Sequence, residues 1–150
     1  MKKITKNNKG FSLIELIIVI AIMAVLVAII APNLTKYLGS SKKNTDKKNL
    51  DEIEATLKTC ITDYEMQDKA TELLPAGATT PITITWDGTK ATGASGASTT
   101  VPTGGKSFKD IVDGAIDATK TTQKEDSQKH AKAEITKDAT GLYVITMSWV

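Results

Sequence analysis

Hydrophobic residues are distributed very unevenly along this chain. An apolar stretch covers residues 11–31, interrupted only by Ser12 and Glu15, and every residue from Leu16 to Ala31 is apolar. From Pro32 onward the chain is rich in Thr, Lys and Asp. A helix of 21 residues is about 31 Å long, which is enough to cross a bilayer. The pattern therefore predicts a membrane-spanning helix followed by a polar domain.

After Pro32 the helical pattern continues but becomes amphipathic. Leu34, Tyr37 and Leu38 fall on one face of the helix. Further along, apolar residues repeat at a spacing of three to four positions, at Leu50, Ile53, Leu57, Cys60, Ile61 and Tyr64. Pro75 and Gly77 predict the end of this segment, which makes residues 32–74 the second half of one long helix. The stretch Gly39-Ser40-Ser41 is a weak point in it. The mixed charges between Lys42 and Glu52 predict a solvated face, and Cys60 is expected to be a small buried residue.

Three later segments have the pattern of β-strands. Ile82, Ile84 and Trp86 alternate with threonines, which predicts a strand over 81–87. Residues 130–137 and 142–149 flank a plausible hairpin turn at 138–141. The alternating residues Tyr143, Ile145, Met147 and Trp149 share one face of the last strand. We therefore expect residues 75–150 to be a head, an antiparallel sheet of at least three strands packed on the amphipathic helix, in an α+β fold.

The remaining segments of the head are mostly polar. Residues 91–105 contain Ala, Thr, Ser and Gly with few larger apolar groups, which predicts a loop. Ser107 is predicted to cap a short helix that has Asp110 in its first turn. Residues 119–129 are predicted to be exposed.

The sequence offers little for catalysis or for nucleic-acid binding. His130 is the only histidine and is predicted to be exposed, so a histidine cluster for a metal is excluded. Neither a serine nor Cys60 has a recognisable catalytic setting, and there is no phosphate-binding loop. Without residues 1–10, fifteen basic residues face 17 acidic ones, and no basic patch contains aromatic residues. We predict a protein that is not an enzyme and needs no cofactor or metal.

The N-terminus has the charge layout of a secretory signal. Four lysines (Lys2, Lys3, Lys6 and Lys9) precede the apolar run, and they are expected to stay in the cytoplasm. The run is longer than the core of an ordinary cleaved signal, and no small-residue cleavage site follows it. We therefore expect it to be retained in the membrane, and hydropathy alone fits a plain signal anchor equally well.

Glu15 distinguishes this segment from a plain anchor. A carboxylate within a spanning helix costs at least about 2.5–3.5 kcal/mol on insertion scales, so such residues are usually paired. If the chain is cut before Phe11, its new α-amine lies one helical turn from Glu15. Glu15 could then pair with this amine in its own chain or in a staggered neighbour. Alternatively, because it is close to the end of the segment, Glu15 could reach the membrane interface.

The residues Lys9-Gly10-Phe11-Ser12-Leu13-Ile14-Glu15-Leu16 resemble the class III signal of type IV pilins and the related pseudopilins. The resemblance implies that a prepilin peptidase cleaves after Gly10 and N-methylates Phe11, with Glu15 as the glutamate that is fifth after the cut. Pro32 matches a proline often found in the family where the helix bends, and we expect a kink there. The glycine that the family commonly has at the position of Ala24 is missing.

The resemblance implies a pilin-like organisation. Residues 1–10 would be a cleaved leader, 11–31 a transmembrane helix that becomes the filament core, 32–74 the amphipathic half of the spine, and 75–150 the globular head. The subunit would polymerise with its own copies, by way of an assembly ATPase and a membrane platform, into a surface filament for adhesion, motility or DNA uptake. Many pilins close the C-terminal region with a disulfide, which the single Cys60 excludes here. We expect packing of Tyr143, Ile145 and Trp149 to hold the last hairpin, and Trp149→Ala to loosen the head.

Two other functions fit the same sequence. The first is a pseudopilin of a type II secretion or competence system, whose N-terminus would look much the same. The second, of another class, is a monomeric, signal-anchored protein that displays a small sugar- or surface-binding head, with 91–105 and 119–129 as candidate binding loops.

Overall fold

The structure, a computed structural model, describes residues 10–67, 72–74, 78, 80–95 and 105–150. The chain divides into two units, with the boundary between Ser40 and Ser41, at the weak point predicted from Gly39-Ser40-Ser41. We call them the N-terminal unit and the C-terminal unit. Helix α1 (Leu13–Gln67) contributes residues to both units, and Pro32 lies inside it.

The C-terminal unit contains an antiparallel sheet that, within the described residues, has four strands. These are β1 (Ile82–Trp86), β2 (Ala91–Ser95), β3 (Ala131–Lys137) and β4 (Tyr143–Trp149), in the spatial order β2-β1-β3-β4. Helix α2 (Phe108–Ala115) and a 3₁₀ turn (Ala118–Lys120) lie between β2 and β3 in sequence. The predicted α+β fold, a long helix with a small antiparallel sheet, is confirmed.

The core of the C-terminal unit lies between the sheet and the amphipathic part of α1. The predicted helical stripe supplies Ile53, Leu57, Cys60, Ile61 and Tyr64, all of which are buried. The sheet supplies its alternate residues, chiefly Ile82, Ile84, Trp86, Ala131, Ala133, Ile135 and Ile145. The ring of Tyr64 meets that of Phe108 edge-to-face, with centroids 5.7 Å apart. Periods of 3.6 and 2 in the sequence thus predicted both faces of this core.

Two local predictions in this unit are also confirmed. Ser107 caps α2, where its Oγ accepts a hydrogen bond from the backbone N–H of Asp110 at 3.2 Å. The hairpin between β3 and β4 turns at Asp138, whose Oδ1 accepts the N–H groups of Thr140 and Leu142. Gly141 completes this turn at φ 86°, a left-handed conformation that glycine adopts without strain.

The prediction that residues 91–105 form a loop is wrong for residues 91–95. These residues form β2, which pairs with β1 through its backbone, with a bulge between Thr85 and Trp86. Ala91 is buried, and its N–H donates to Asp113 on α2 at 2.8 Å. Small polar residues can pair at the edge of a sheet because the ladder uses backbone groups, so strand propensity is a weak guide there. Residues 96–104 lie outside the described residues.

The predicted exposure of residues 119–129 and the solvated face at 42–52 are wrong at specific positions. Thr121 is fully buried, and Asp46 and Asn49 on α1 are also buried. Asp46 accepts hydrogen bonds from the backbone N–H groups of Lys124 and Glu125, at 2.5 and 3.0 Å. Residues of the segments 42–52 and 119–129 are therefore buried against each other. The carboxylate of Asp46 accepts hydrogen bonds from amides that would otherwise lack partners.

The predicted exposure of His130 is also wrong. His130 is half-buried, and its Nδ1 lies 3.4 Å from Thr122 Oγ1. Its backbone exchanges two hydrogen bonds with Val150, each 2.9 Å long. Gly88, at φ 88°, lies against the same two side chains, so a Cβ there would come within 2.9 Å of Thr122 Oγ1.

The predicted end of the spine near residue 74 is several residues too late. Helix α1 ends at Gln67 in the described residues, and Glu72–Leu74 are not helical. Leu73 and Leu74 are buried in the core, but they lie in a bend of the chain and not in the helix. The stop signals Pro75 and Gly77 lie outside the described residues.

Candidate functional site

The predicted cleavage position lies in exposed, non-helical backbone. Gly10, Phe11 and Ser12 precede the first helical residue, Leu13. The side chain of Phe11 is 91% exposed, and no atom would lie within 4 Å of a Cβ added at Gly10. A peptidase requires accessible backbone, which the Gly10–Phe11 bond has in this structure. The remainder of the predicted leader, residues 1–9, lies outside the described residues.

Glu15 and Ser12 form a capping box at the start of α1. The N–H of Ser12 donates to Glu15 Oε2 at 2.8 Å, and the N–H of Ile14 donates to Ser12 Oγ at 3.4 Å. The first amides of a helix have no partner within it, and a serine followed three residues later by a glutamate supplies two acceptors. The Glu15 carboxylate also lies at the positive end of the helix dipole. Glu15 is therefore already engaged within its own chain while residue 10 is attached.

The capping box was missed in reasoning from the sequence, although its signal was present. The spacing Ser12-x-x-Glu15 directly before an apolar run is the usual pattern of a capping box. The partner of Glu15 in this structure is the backbone amide of Ser12 and not a cation. Pairing of Glu15 with the α-amine of Phe11 stays a prediction, because that amine exists only after cleavage.

The apolar residues of the N-terminal unit are uncovered. Among the described residues, 18 of the 22 exposed large hydrophobic side chains lie between Phe11 and Leu38. They are exposed on every side of the helix, at fractions from 45% to 91%. By length and composition α1 can cross a membrane. A surface of this size in water would be far larger than the apolar patches of soluble monomers, so it requires lipid or other protein around it.

Pro32 lies within continuous helical backbone. It cannot donate to the carbonyl of Ala28, because it has no N–H. Polar side chains just after it bond to neighbouring carbonyls: Thr35 Oγ1 donates to Pro32 O at 3.0 Å, and Asn33 Nδ2 donates to Ile29 O at 3.5 Å. The kink at Pro32 stays a prediction.

Comparison with known proteins finds a described motif in this N-terminal segment. A family model described as the prokaryotic N-terminal methylation motif matches residues 5–31. That range contains Gly10, Phe11 and Glu15. The N-terminal segment of this chain therefore carries the N-terminal methylation motif.

Three curated proteins are similar to parts of this chain. Prepilin peptidase-dependent protein A of Clostridium perfringens is 37% identical over 70 residues, which are 45% of this chain and 50% of that protein. The type IV major pilin protein PilA of Myxococcus xanthus is 44% identical over 50 residues, 33% of this chain and 23% of that protein. The type IV major fimbrial protein FimA of Dichelobacter nodosus is 34% identical over 62 residues, 41% and 39% of the two chains.

The chain thus spans half or less of the length of these relatives. No solved structure matches it significantly. The family resemblance is therefore carried by the methylation motif and the helix that contains it, whereas the details of the C-terminal unit rest on the structure alone.

Proposed function

We propose that this chain is a structural subunit that polymerises into a type IV pilus-like filament after cleavage by prepilin peptidase. The observation that carries the proposal is the match of residues 5–31 to the methylation motif, at the start of a helix whose large apolar side chains are all exposed as far as Leu38. Lipid covers such a helix before assembly, and copies of the same helix can cover it afterwards. Repetition of one head-to-tail contact between identical chains builds an open fibre.

The proposed assembly begins with processing of the N-terminus and ends with transfer of the subunit to the filament. The peptidase cuts the accessible bond between Gly10 and Phe11 and methylates the new amine of Phe11. Glu15 then pairs with this amine, in its own chain or in a neighbour, and so sets the register of packing. An assembly ATPase and a membrane platform would move the subunit from the cytoplasmic membrane to the surface filament. Adhesion, motility and DNA uptake are the candidate uses of that filament.

Two measurements test cleavage and assembly. Mass spectrometry of the protein from sheared surface filaments is expected to find a first residue of N-methylated Phe11. A monomeric protein that stays in the membrane with residues 1–10 attached would contradict the proposal, and would favour the signal-anchored binding protein. A Gly10→Val variant is the matched control, because a bulky residue before the cut is expected to block processing without changing the helix that follows.

A pair of substitutions separates the two roles of Glu15. Glu15→Gln keeps an oxygen that can accept the N–H of Ser12, whereas Glu15→Ala removes the acceptor as well as the charge. If the charge sets filament register, both variants insert into the membrane normally but yield few or no filaments. Normal filament yield from Glu15→Gln would show that only the helix cap matters, and the pairing with the Phe11 amine would be wrong.

A further inference from the structure

Strand β4 lies at one edge of the sheet, and half of its backbone groups face outward. His130 and Val150 form a hydrogen-bonded pair, in which each N–H donates to the carbonyl of the other residue. Hydrogen-bonded pairs alternate along an antiparallel ladder, so in this register the even-numbered residues of β4 bond to β3. The odd-numbered residues between them direct their backbone N–H and C=O groups away from β3. These residues are Tyr143, Ile145, Met147 and Trp149, and no described residue accepts from or donates to those groups. The edge is a row of four unpaired positions.

Within the described residues, strand β4 lacks the sequence features by which proteins usually prevent pairing at an edge. The sequence of β4, Tyr-Val-Ile-Thr-Met-Ser-Trp, contains no charge and no proline, and the β3–β4 ladder has no register shift. Natural edge strands are commonly short, bulged, or protected by lysine or proline. A long uncharged strand with this composition is instead a template for another strand.

Exposed hydrophobic side chains cluster on the same strand. Of the four exposed large hydrophobic residues among the described part of the C-terminal unit, three are Leu142, Val144 and Val150. They are 67%, 44% and 56% exposed, and all point to the outer face of the sheet, together with Thr146. This face and the open edge are adjacent, so one partner strand could cover both.

We propose that β4 pairs antiparallel with β4 of a second copy of this chain, in a register centred on Thr146. In this register Tyr143 lies opposite Trp149, and Ile145 opposite Met147, so every outward-facing backbone group meets one of the other copy. On the outer face Leu142 lies opposite Val150, and Val144 opposite Ser148. The exposed side chains of Leu142 and Val150, which lie just before and just after β4, are thereby placed in contact, and no charges of like sign meet. This self-complementarity is the reason to choose a second copy as the partner.

The pairing is distinct from the contact that builds a filament. Two identical strands that pair about Thr146 are related by a two-fold axis, which makes the contact isologous and closed. Neighbouring subunits within one polar filament are related head-to-tail and cannot share such an axis. The β4 contact therefore joins chains from separate filaments, or chains that have not yet been assembled.

Single cysteines test the register in the full-length chain. In the proposed pair Thr146 lies directly opposite its own copy, as a non-hydrogen-bonded pair whose Cα atoms are about 4.5 Å apart, close enough for a disulfide. Thr146→Cys is expected to give several-fold more disulfide-linked dimer under mild oxidation than the wild type, in which Cys60 is buried. Ser148→Cys is the matched control: it is exposed on the same face, but it lies opposite Val144 and should not link to itself.

A mixture of chains extends the test. Val144→Cys and Ser148→Cys should link to each other when expressed together, although neither links to itself. Equal linking of Thr146→Cys and Ser148→Cys, or no linking above wild type, would overturn the proposal.

Thr146→Lys places two like charges at the axis and is expected to abolish dimers measured by light scattering in detergent. Repeating Thr146→Cys with Glu15→Ala separates the two proposals, because loss of filaments should leave this dimer intact.

Discussion

At the residue scale, two carboxylates of α1 hold distant parts of the C-terminal unit. Asp46 binds two backbone amides of the segment after the 3₁₀ turn, and ion pairs flank it, from Lys43 to Glu125 and from Lys120 to Glu52. Glu65 accepts a hydrogen bond from the hydroxyl of Tyr143 on β4 at 2.5 Å. These contacts tie α1 to the segment before β3 and to the first residue of β4.

The Tyr143 hydroxyl joins three elements. It donates to Glu65 and accepts from the N–H of Leu74 at 3.3 Å, while Lys137 Nζ lies 5.0 Å from the centre of its ring. Burial raises the pKa of this hydroxyl, and the bond to Glu65 raises it further, so it stays protonated and keeps donating. In a chain that has no disulfide, this polar cluster supplements the apolar packing at the last hairpin.

The first prediction concerns this hydroxyl. Tyr143→Phe keeps the ring but leaves the carboxylate of Glu65 and the amide of Leu74 without this partner, and is expected to cost about 1–3 kcal/mol of unfolding free energy. The measurement is urea unfolding of the full chain in detergent, followed by tryptophan fluorescence. Tyr37→Phe is the control, since Tyr37 is 74% exposed and the same change there should be neutral. Equal stability of the two variants would contradict this role of the hydroxyl.

The limits of sequence reasoning at this scale follow from distance along the chain. Gly10, Phe11 and Glu15 could be predicted because their spacing is local, and the capping partner Ser12 lies within the same local pattern. Asp46 was not, because its two amides are 78 and 79 residues away. Within a run of mixed charges nothing distinguishes a carboxylate that is solvated from one that is buried against a distant loop.

At the element scale, aspartates organise three of the tight turns. Asp87, Asp117 and Asp138 are each followed two residues later by a threonine, and each Oδ1 accepts both the N–H and the hydroxyl of that threonine. These turns precede β2, the 3₁₀ turn and β4. Hydrogen bonds to the charged carboxylate lower the pKa of all three residues, chiefly those from Thr89, Thr119 and Thr140.

The second prediction is a loss of stability in acid. A carboxyl whose folded pKa lies below its unfolded value stabilises the fold above the unfolded value, which is about 4, and loses this contribution as the pH falls through the folded pKa. The melting temperature is therefore expected to decrease as the pH is lowered from about 7 to about 3. Asp138→Asn keeps an oxygen acceptor but does not titrate, so its decrease should be smaller. An unchanged decrease in that variant would contradict the contribution of Asp138.

Elements with a strong period were predictable, and elements that depend on a neighbour were not. The apolar stripe from Ile53 to Tyr64 predicted a helix and its buried face. The alternation of residues in β1 and β4 predicted strands and the face of each that is buried. Strand β2 has no such alternation, and it forms because β1 offers it a partner and Asp113 binds the N–H of Ala91. The end of α1 was misplaced because Leu73 and Leu74 continue the apolar content of the helix after its helical geometry has ended.

At the scale of the whole molecule, one unit buries its large hydrophobic side chains in a core and the other exposes them. Every buried hydrophobic residue of the described core lies in the C-terminal unit, from Ile53 to Ile145. The N-terminal unit has a helix whose apolar side chains are all exposed. This exposed apolar surface requires lipid or other protein around it, whereas the described core of the C-terminal unit is formed by residues of that unit.

The last prediction follows from this division. A fragment of residues 41–150 retains the whole described core and the Asp46 contacts, and is expected to fold in water without detergent. A cooperative thermal transition, followed by circular dichroism and tryptophan fluorescence, would establish this. A fragment of residues 51–150 is the comparison: it keeps every fully buried hydrophobic residue of the core but lacks Leu50, which packs against it, and Asp46, so the amides of Lys124 and Glu125 lose their acceptor. It should be less stable by about 1–3 kcal/mol. Absence of a cooperative transition in the longer fragment would mean that the first 40 residues are needed to complete the fold.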